Sequence, residues 1–385
     1  MAFPRWTEEH RSFRETVRRF TKDEIRPFAE QWQAEGYFPD EIFGKAGALG
    51  LLGVRFDPAW GGSGLDYWYT VILVEELIRG RDIGCVVGLL VQSEMATTVI
   101  HDYGSDELKK EWLVPVIRGE RIASLGVTEP SGGSDVAALT TSARRDGDDY
   151  IIRGAKTFIT NGTRAHFVML AARTGGAGAA GVSLFVVPTD VKGFTVSKRL
   201  RKIDLHSSDT AELFFDDVRV PRSNLIGEEG QGFRYIMRSF QGERLVLATM
   251  VNSLCRDLLE ETMEYLGQRK AFGQTIGSMQ VWRHRMADLM TDLEASELLT
   301  YRAADDLVSG SPEAEVSVSM AKLYAAEMVR RVIPECGHAY GGYGFMEEYY
   351  IARCSRGVQN WGIGAGTSEV MREIIAKRRM SKPRG

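Results

Sequence analysis

The chain has 385 residues, enough for two or three domains at about 150 residues each. Its 48 Lys and Arg against 52 Asp and Glu leave a formal charge of −4, which argues against a nucleic-acid binder with a basic stripe. With 44 % hydrophobic and 26 % charged residues it matches neither a disordered chain nor a collagen-like or disulfide-dense one.

The helical period comes first, from residue 7 to about 121. Phe13, Val17 and Phe20 recur at helical spacing, followed by Ile25 and Phe28. Thr7 stands as an N-cap before Glu8 and Glu9. Residues 69–79 and 106–118 are further helix candidates, with the breaker cluster Trp60-Gly61-Gly62-Ser63-Gly64 ahead of both. The apolar run 83–91 is too short for a bilayer span of about 20 residues, so no membrane association is expected. From about 122 to 230 the period becomes two, with strand-like runs at 150–154, 167–172, 183–187, 194–197 and 211–215. The glycine-rich stretch 175–181 reads as a hairpin tip. From 231 on the helical period returns. Met237, Phe240, Leu247, Leu254 and Leu258 form one stripe, and 282–309 and 312–334 carry two more. The expected fold class is α+β: an N-terminal α-helical domain (1–121), a middle β-barrel or sandwich domain (122–230) and a C-terminal four-helix bundle (231–385). This segregation, and the lack of a GxGxxG after a strand, argue against an alternating nicotinamide-binding fold.

The cysteines, Cys85, Cys255, Cys336 and Cys354, form no CxxC pair, and the six histidines form no HExxH. Buried thiols in a reducing, cytoplasmic compartment are expected, with no metal site, although Cys336 and His338 lie close in sequence. The opening MAFPRWTEEH has no basic segment followed by an apolar core, so no secretory signal is expected. The closing MSKPRG is not a peroxisomal address.

Three segments carry chemistry. In the first, Leu125-Gly126-Val127-Thr128-Glu129-Pro130-Ser131-Gly132-Gly133-Ser134-Asp135, the paired glycines permit close backbone approach, and Thr128 and Ser134 offer hydroxyls. The second, Lys156-Thr157-Phe158-Ile159-Thr160-Asn161-Gly162, reads as a strand with Phe158 and Thr160 on one face, suited to a flat heterocycle. The third is a C-terminal set: Arg269-Lys270-Ala271-Phe272-Gly273, Gly341-Gly342-Tyr343-Gly344-Phe345 and Gly362-Ile363-Gly364-Ala365-Gly366-Thr367-Ser368-Glu369. Glycine-rich loops of this kind can cradle a pyrophosphate. Each segment alone is also compatible with a plain turn or a half-buried strand.

In this order and spacing the segments resemble the acyl-CoA dehydrogenase family over nearly the whole chain. The resemblance implies a flavoenzyme holding FAD between the β domain and the bundle, and oxidising an acyl-CoA to the trans-2-enoyl-CoA. Electrons would pass to an electron-transfer flavoprotein. By the same resemblance Leu125, Val127, Thr128 and Thr160 contact the flavin, and Phe158 packs on it where many relatives carry Trp. Arg269, Phe272, Gln280, His338 and Gly342 match positions that reach FAD, several of them the FAD of a neighbouring subunit. His338 stands where Gln is usual. Thr367 and Glu369 match positions near the flavin's phosphates and ribose, and Ser134 one on the pantetheine side of CoA. The resemblance implies at least a dimer, commonly a homotetramer.

The commonest family pattern puts a catalytic Glu immediately before the Gly-Thr of the tail, but here that residue is Ala365. Glu243 shares a helical face with Phe240 and Leu247, and a carboxylate on an apolar face raises its pKa toward that of a general base. A subgroup of the family, which includes the isovaleryl-CoA and long-chain acyl-CoA dehydrogenases, lacks the tail Glu and carries a Glu-Arg pair on this helix. Glu243 is therefore expected to be the base and Arg244 a CoA-contacting cation, with Phe240, Ala365 and Gly366 beside the substrate. Around Val86, Val87, Leu90 and Val91 no charged side chain appears, so the resemblance implies an apolar acyl floor for a medium, long or branched chain. Other flavin chemistry, as an acyl-CoA oxidase or CoA-thioester desulfinase, and a non-catalytic helical assembly remain open alternatives at this point.

Overall fold

The computed structural model describes residues 6–380. The expectations about the first ten residues and the closing hexapeptide rest partly on residues 1–5 and 381–385, outside that range. By packing, the chain forms two compact units. One comprises the residues up to Thr21, Thr70–Arg81 and those from Glu243 onward; the other comprises Lys22–Tyr69 and Asp82–Gly242.

In the first unit, Thr7 caps the helix Glu8–Phe20. Its hydroxyl oxygen accepts from the His10 N–H (3.3 Å), while the His10 ring accepts from the Thr7 N–H (3.2 Å). These bonds satisfy donors that a helix start leaves without partners. Three long helices follow the apolar stripes read in the sequence: Gly232–Gln268, which enters this unit at Glu243, Gln280–Val308 and Ala314–Tyr340. The last runs through Pro334, where the sequence pattern was expected to stop. Proline removes one helical hydrogen bond, but buried Val332, Ile333 and Cys336 around it keep the following turns packed. The C-terminal helix Ser368–Met380 completes the unit.

Ion pairs tie the N-terminal helix to the helix Tyr67–Ile78. Arg14 donates to Glu75 (2.8 Å) and Glu76 (2.7 Å), and Arg18 donates to Glu76 (3.0 Å). Glu75 also accepts from the Tyr301 hydroxyl (2.8 Å). Burial alone would raise the Glu76 pKa, but hydrogen bonds from Arg18 and Arg14 hold it below the usual carboxylate range.

The second unit is built on one eight-stranded sheet. Its strands are β1 (Ala123–Gly126), β2 (Ser142–Asp146), β3 (Asp149–Thr160), β4 (Phe167–Arg173), β5 (Val182–Pro188), β6 (Phe194–Val196), β7 (Thr210–Pro221) and β8 (Leu225–Ile226). The order is β6-β7-β3-β2-β4-β5-β8, with β1 pairing β4 in parallel. β4 and β5 form a hairpin over the glycine-rich tip, as the sequence implied. Tyr150 of β3 and Phe185 of β5 lie three strands apart, roughly 14 Å in a flat sheet. Their rings meet edge to face at 4.9 Å, so the sheet curls over its own core.

The expected period of two holds for β7, whose inward and outward positions alternate, but not for β4 or β5, which are almost wholly buried. On β4, Val168, Leu170 and Ala172 face the core inside the curled sheet. Phe167, Met169 and Ala171 face a second core with Val99, Ile100, Trp112 and Leu113. A strand covered on both faces has no polar side to reveal its period. The helical run Ile83–Tyr103 is 21 residues long with mean hydropathy 1.6, enough by length and composition to cross a membrane, but 89 % of that apolar window is buried in the protein. Phe28, expected on the apolar stripe, is exposed and stacks on Trp32 at 5.6 Å. All four cysteines are buried and none is in a disulfide.

Replacing Glu76 with Gln leaves Arg14, Arg18 and Arg79 without their shared carboxylate. Since Arg18 reaches solvent, the expected loss of unfolding free energy is roughly 2–3 kcal/mol, below that of a fully buried pair. Denaturant melts of Glu76→Gln against the parent check this.

Candidate active site

In the second unit, the loop after β1 turns back at once. Glu129 N–H donates to the Gly132 carbonyl (3.1 Å) and Gly132 N–H donates to that of Glu129 (3.0 Å). The turn is anchored by the Glu129 carboxylate, which accepts from the Thr140 N–H (2.7 Å) and hydroxyl (2.7 Å), the Thr141 N–H (2.8 Å) and the Lys156 ammonium (2.9 Å). Lys156 also donates to the Val127 carbonyl (3.0 Å), and both side chains are buried. Burial would raise the Glu129 carboxyl, yet the threonine bonds and the Lys156 charge hold it down at about 2. Burial pushes Lys156 down to about 8 against the pull of Glu129.

That pair fixes Thr128 against β3, where the Thr157 N–H donates to the Thr128 carbonyl (3.0 Å). The register against β7 slips between Lys156 and Ile159, and Phe158 within the slip has φ +60°. The simple pleat expected here is therefore a bulge. It turns Phe158 out to 69 % exposure between buried Thr157 and Ile159. Thr128, Thr160 and Leu125 are half-buried, Val127 is buried and Ser134 is exposed. Asn161 closes the strand by donating to the carbonyls of Gly88 (2.9 Å) and Ala123 (3.2 Å). Val86, Leu90 and Val91 are buried and apolar, but the same helical run continues to a buried Glu94. Glu94 accepts from the Arg55 guanidinium (3.0 and 3.2 Å), which lies 4.1 Å over the Tyr67 ring. The uncharged character read from four valines and leucines does not extend along the whole run.

In the first unit, Glu243 is half-buried, and its Oε2 is enclosed with no hydrogen-bond partner among the described residues. Burial pushes its carboxyl up to about 7, with the charges of Arg244 and Lys322 pulling the other way. Arg244 is buried, and burial lowers its guanidinium pKa. The stripe of Phe240, Glu243 and Leu247 was expected to face the core. All three are half-buried, with Phe240 packed against a core cluster, while Arg244, Leu245 and Ala248 take the fully buried face.

The tail loop lies along this helix. A Cβ on Gly364 would stand 3.8 Å from Leu247, one turn beyond Glu243. Ala365 and Gly366 have φ of +55° and +91°, and the buried Lys322 donates to the Gly366 carbonyl (2.5 Å). Thr367 is half-buried and caps the last helix by accepting from the Val370 N–H (3.3 Å), while Glu369 is exposed.

A cavity of about 430 Å³ in the same unit is lined by Tyr265, Arg269, His338, Tyr340, Gly342 and Tyr343, among others. It gathers three of the residues singled out in the sequence: Arg269, His338 and Gly342. Phe272 stands outside it at the tip of a short hairpin. There φ is positive at both Phe272 (+52°) and Gly273 (+80°), and Phe272 is 94 % exposed. Gln280 is also exposed. Sequence reasoning overlooked Lys322 and the Glu129–Lys156 pair. Their signal was a lysine where a helix stripe, or the inward face of a strand, calls for an apolar side chain.

Family models for the acyl-CoA dehydrogenase N-terminal, middle and C-terminal domains match residues 7–120, 124–218 and 230–380. The long-chain specific acyl-CoA dehydrogenase, mitochondrial, of Rattus norvegicus is 37 % identical over 383 residues, covering 98 % of this chain and 87 % of that protein. The solved structure of a probable acyl CoA dehydrogenase from Mycobacterium abscessus superposes with a TM-score of 0.94 at 39 % identity, covering 97 % of this chain and 99 % of that one. A putative acyl-CoA dehydrogenase from Mycobacterium smegmatis gives 0.95 at 38 %, covering 98 % and 99 %. The expected cytoplasmic location is corrected by these comparisons, since the long-chain relatives from rat, pig and mouse are named mitochondrial. With its helical, β and helical-bundle parts in the family's order, the chain belongs to the acyl-CoA dehydrogenase family and is an FAD-dependent oxidoreductase acting on acyl-CoA.

Proposed function

We propose that this enzyme takes the α proton of a saturated acyl-CoA onto Glu243 and yields the trans-2-enoyl-CoA, the acyl chain being medium, long or branched. The observation that carries the reading is the enclosed, unpartnered Oε2 of Glu243, its carboxyl pushed up to about 7, in a chain whose tail position is Ala365. A carboxylate without donors keeps its basicity, and a pKa near the working pH suits general-base catalysis. This reading likens the protein to the relatives whose base lies on the bundle helix, as in the isovaleryl-CoA and long-chain enzymes. The limits proposed for its three domains are 1–121, 122–230 and 231–385.

The residues present fit FAD. An aromatic-walled cavity with Arg269 and His338 suits a nucleotide, and the outturned Phe158 beside Thr128 suits a flat ring. When bound, FAD supplies the hydride acceptor for the β carbon. The chain's own residues supply the rest. Glu243, ionised above about pH 7, takes the α proton at Oε2. The Ala365 N–H, a backbone donor that needs no particular side chain, stabilises the developing enolate oxygen. Arg244, Ser134, Phe240 and Gly366 hold the substrate. Leu125, Val127, Thr128, Phe158 and Thr160 hold the flavin ring, and Arg269, Phe272, Gln280, His338, Gly342, Thr367 and Glu369 the remainder of the cofactor. The outward Phe272 and Gln280 suit reach toward a neighbouring subunit, in keeping with a homotetramer. An electron-transfer flavoprotein takes the electrons onward.

In anaerobic stopped-flow, Glu243→Gln with full FAD is expected to bleach about 10²- to 10⁴-fold more slowly than the parent. Unchanged bleaching would refute the assignment. The parent's bleaching rate is expected to fall about tenfold per pH unit below 7 as Glu243 takes up a proton, and to level off above it. A panel of straight and branched acyl-CoAs, with identification of each enoyl product, sets the substrate. Lys156→Met strands the Glu129 carboxylate, so a loss of about 3–5 kcal/mol in urea melts is expected. Weaker FAD retention in flavin-fluorescence titrations should accompany it.

A further inference from the structure

We propose that Lys322 is a positioning residue, whose buried ammonium latches the tail loop to the helix Ala314–Tyr340 and holds the backbone of Ala365 and Gly366 beside the helix face that carries Glu243. The proposal rests on the reading of Glu243 as base and deepens it. Lys322 is fully buried, and its ammonium donates to the Gly366 carbonyl. That carbonyl follows Ala365, a residue with a Cβ held at φ +55°, a conformation that non-glycine residues avoid unless their surroundings impose it.

The latch does not stand alone. Further along the same helix, Glu327 accepts from the Ser368 hydroxyl (2.7 Å), at the far end of the loop. Arg330 packs so closely on Gly362 that a Cβ there would fall 2.1 Å from its Nη2. Lys322 and Glu327 thus bond the loop at its middle and far end, and Arg330 packs against Gly362 at its start. The loop's Gly364 meets Leu247 one turn from Glu243. A loop held this way presents the Ala365 N–H in one fixed orientation, and a displacement of about 1 Å at such a donor costs about 10²-fold in rate.

The charge has a second consequence. The cations that bear on Glu243 are Arg244 from its own helix and Lys322 from the helix Ala314–Tyr340. Lys322 itself sits among Arg244, Arg330, Glu327 and Glu369. Without the ammonium, Glu243 binds its proton more tightly, and the rise of rate with pH moves upward.

The test compares parent, Lys322→Met, Lys322→Arg and Glu243→Gln holoenzymes. Each is followed by anaerobic flavin bleaching across pH and by hydrogen exchange of amides 362–368. Lys322→Met is expected to exchange the loop amides faster and to bleach about 10²-fold more slowly at saturating substrate. Half-saturation should be little altered, and the pH midpoint should be higher. Lys322→Arg keeps the charge but misfits the carbonyl, so the midpoint should stay while loop exchange quickens. Parent-like exchange with a parent-like midpoint in Lys322→Met overturns the proposal. If that variant yields no folded holoenzyme, parent-like exchange and rate in Lys322→Arg overturn it. Parent-like bleaching in Glu243→Gln defeats the base reading instead, and the exchange data then judge the latch by itself.

Discussion

A carboxylate oxygen enclosed without a hydrogen bond is costly to bury, and Oε2 of Glu243 has no partner among the described residues. Two cations, Arg244 and Lys322, offset part of that cost through their charge, but neither hydrogen-bonds it. The helix could satisfy the same packing with an apolar side chain at less cost. Keeping an ionisable oxygen there makes physical sense if the oxygen has a proton to accept. Phe240, Glu243 and Leu247 share a half-buried stripe of that helix.

The two loops are held by charged side chains reaching from rigid elements, of which Lys156 and Lys322 are fully buried. In the second unit Lys156 on β3 and Glu129 in the loop lock the turn that carries Thr128. In the first unit Lys322 and Glu327 of one long helix bond the tail loop, and Arg330 packs on it. The two devices share one logic. Loops supply exposed backbone groups and hydroxyls, while strands and helices supply the rigidity those groups need. Two of the non-glycine residues at positive φ, Phe158 and Ala365, sit on these held segments, where the surroundings can sustain the strain.

Much of the architecture was legible because it follows from side-chain period. The three bundle helices, the cap at Thr7 and the β4–β5 hairpin appear where apolar spacing and turn residues put them. What misled was local context. β4 and β5 lost their alternation because both faces are covered, and Pro334 did not end its helix because its neighbours are packed. The pleat at Phe158 became a bulge through its register with β7, which no local pattern encodes. Glu94 was missed because its partner, Arg55, lies 39 residues away in the chain. The compartment was misjudged since composition and cysteine usage report on redox conditions rather than on address.

By itself, the sequence determined the class of chemistry and the candidate groups. Motif order marked the family, and the replacement of the tail carboxylate by Ala365 turned attention to Glu243. Only the tertiary structure decided that Glu243 keeps an enclosed oxygen without a partner among the described residues and that Lys322 ends at the Gly366 carbonyl. Sequence spacing reports which face of an element a residue occupies. Desolvation and hydrogen-bond partners depend on what other segments bring to that face, and those segments come from positions far apart in the chain.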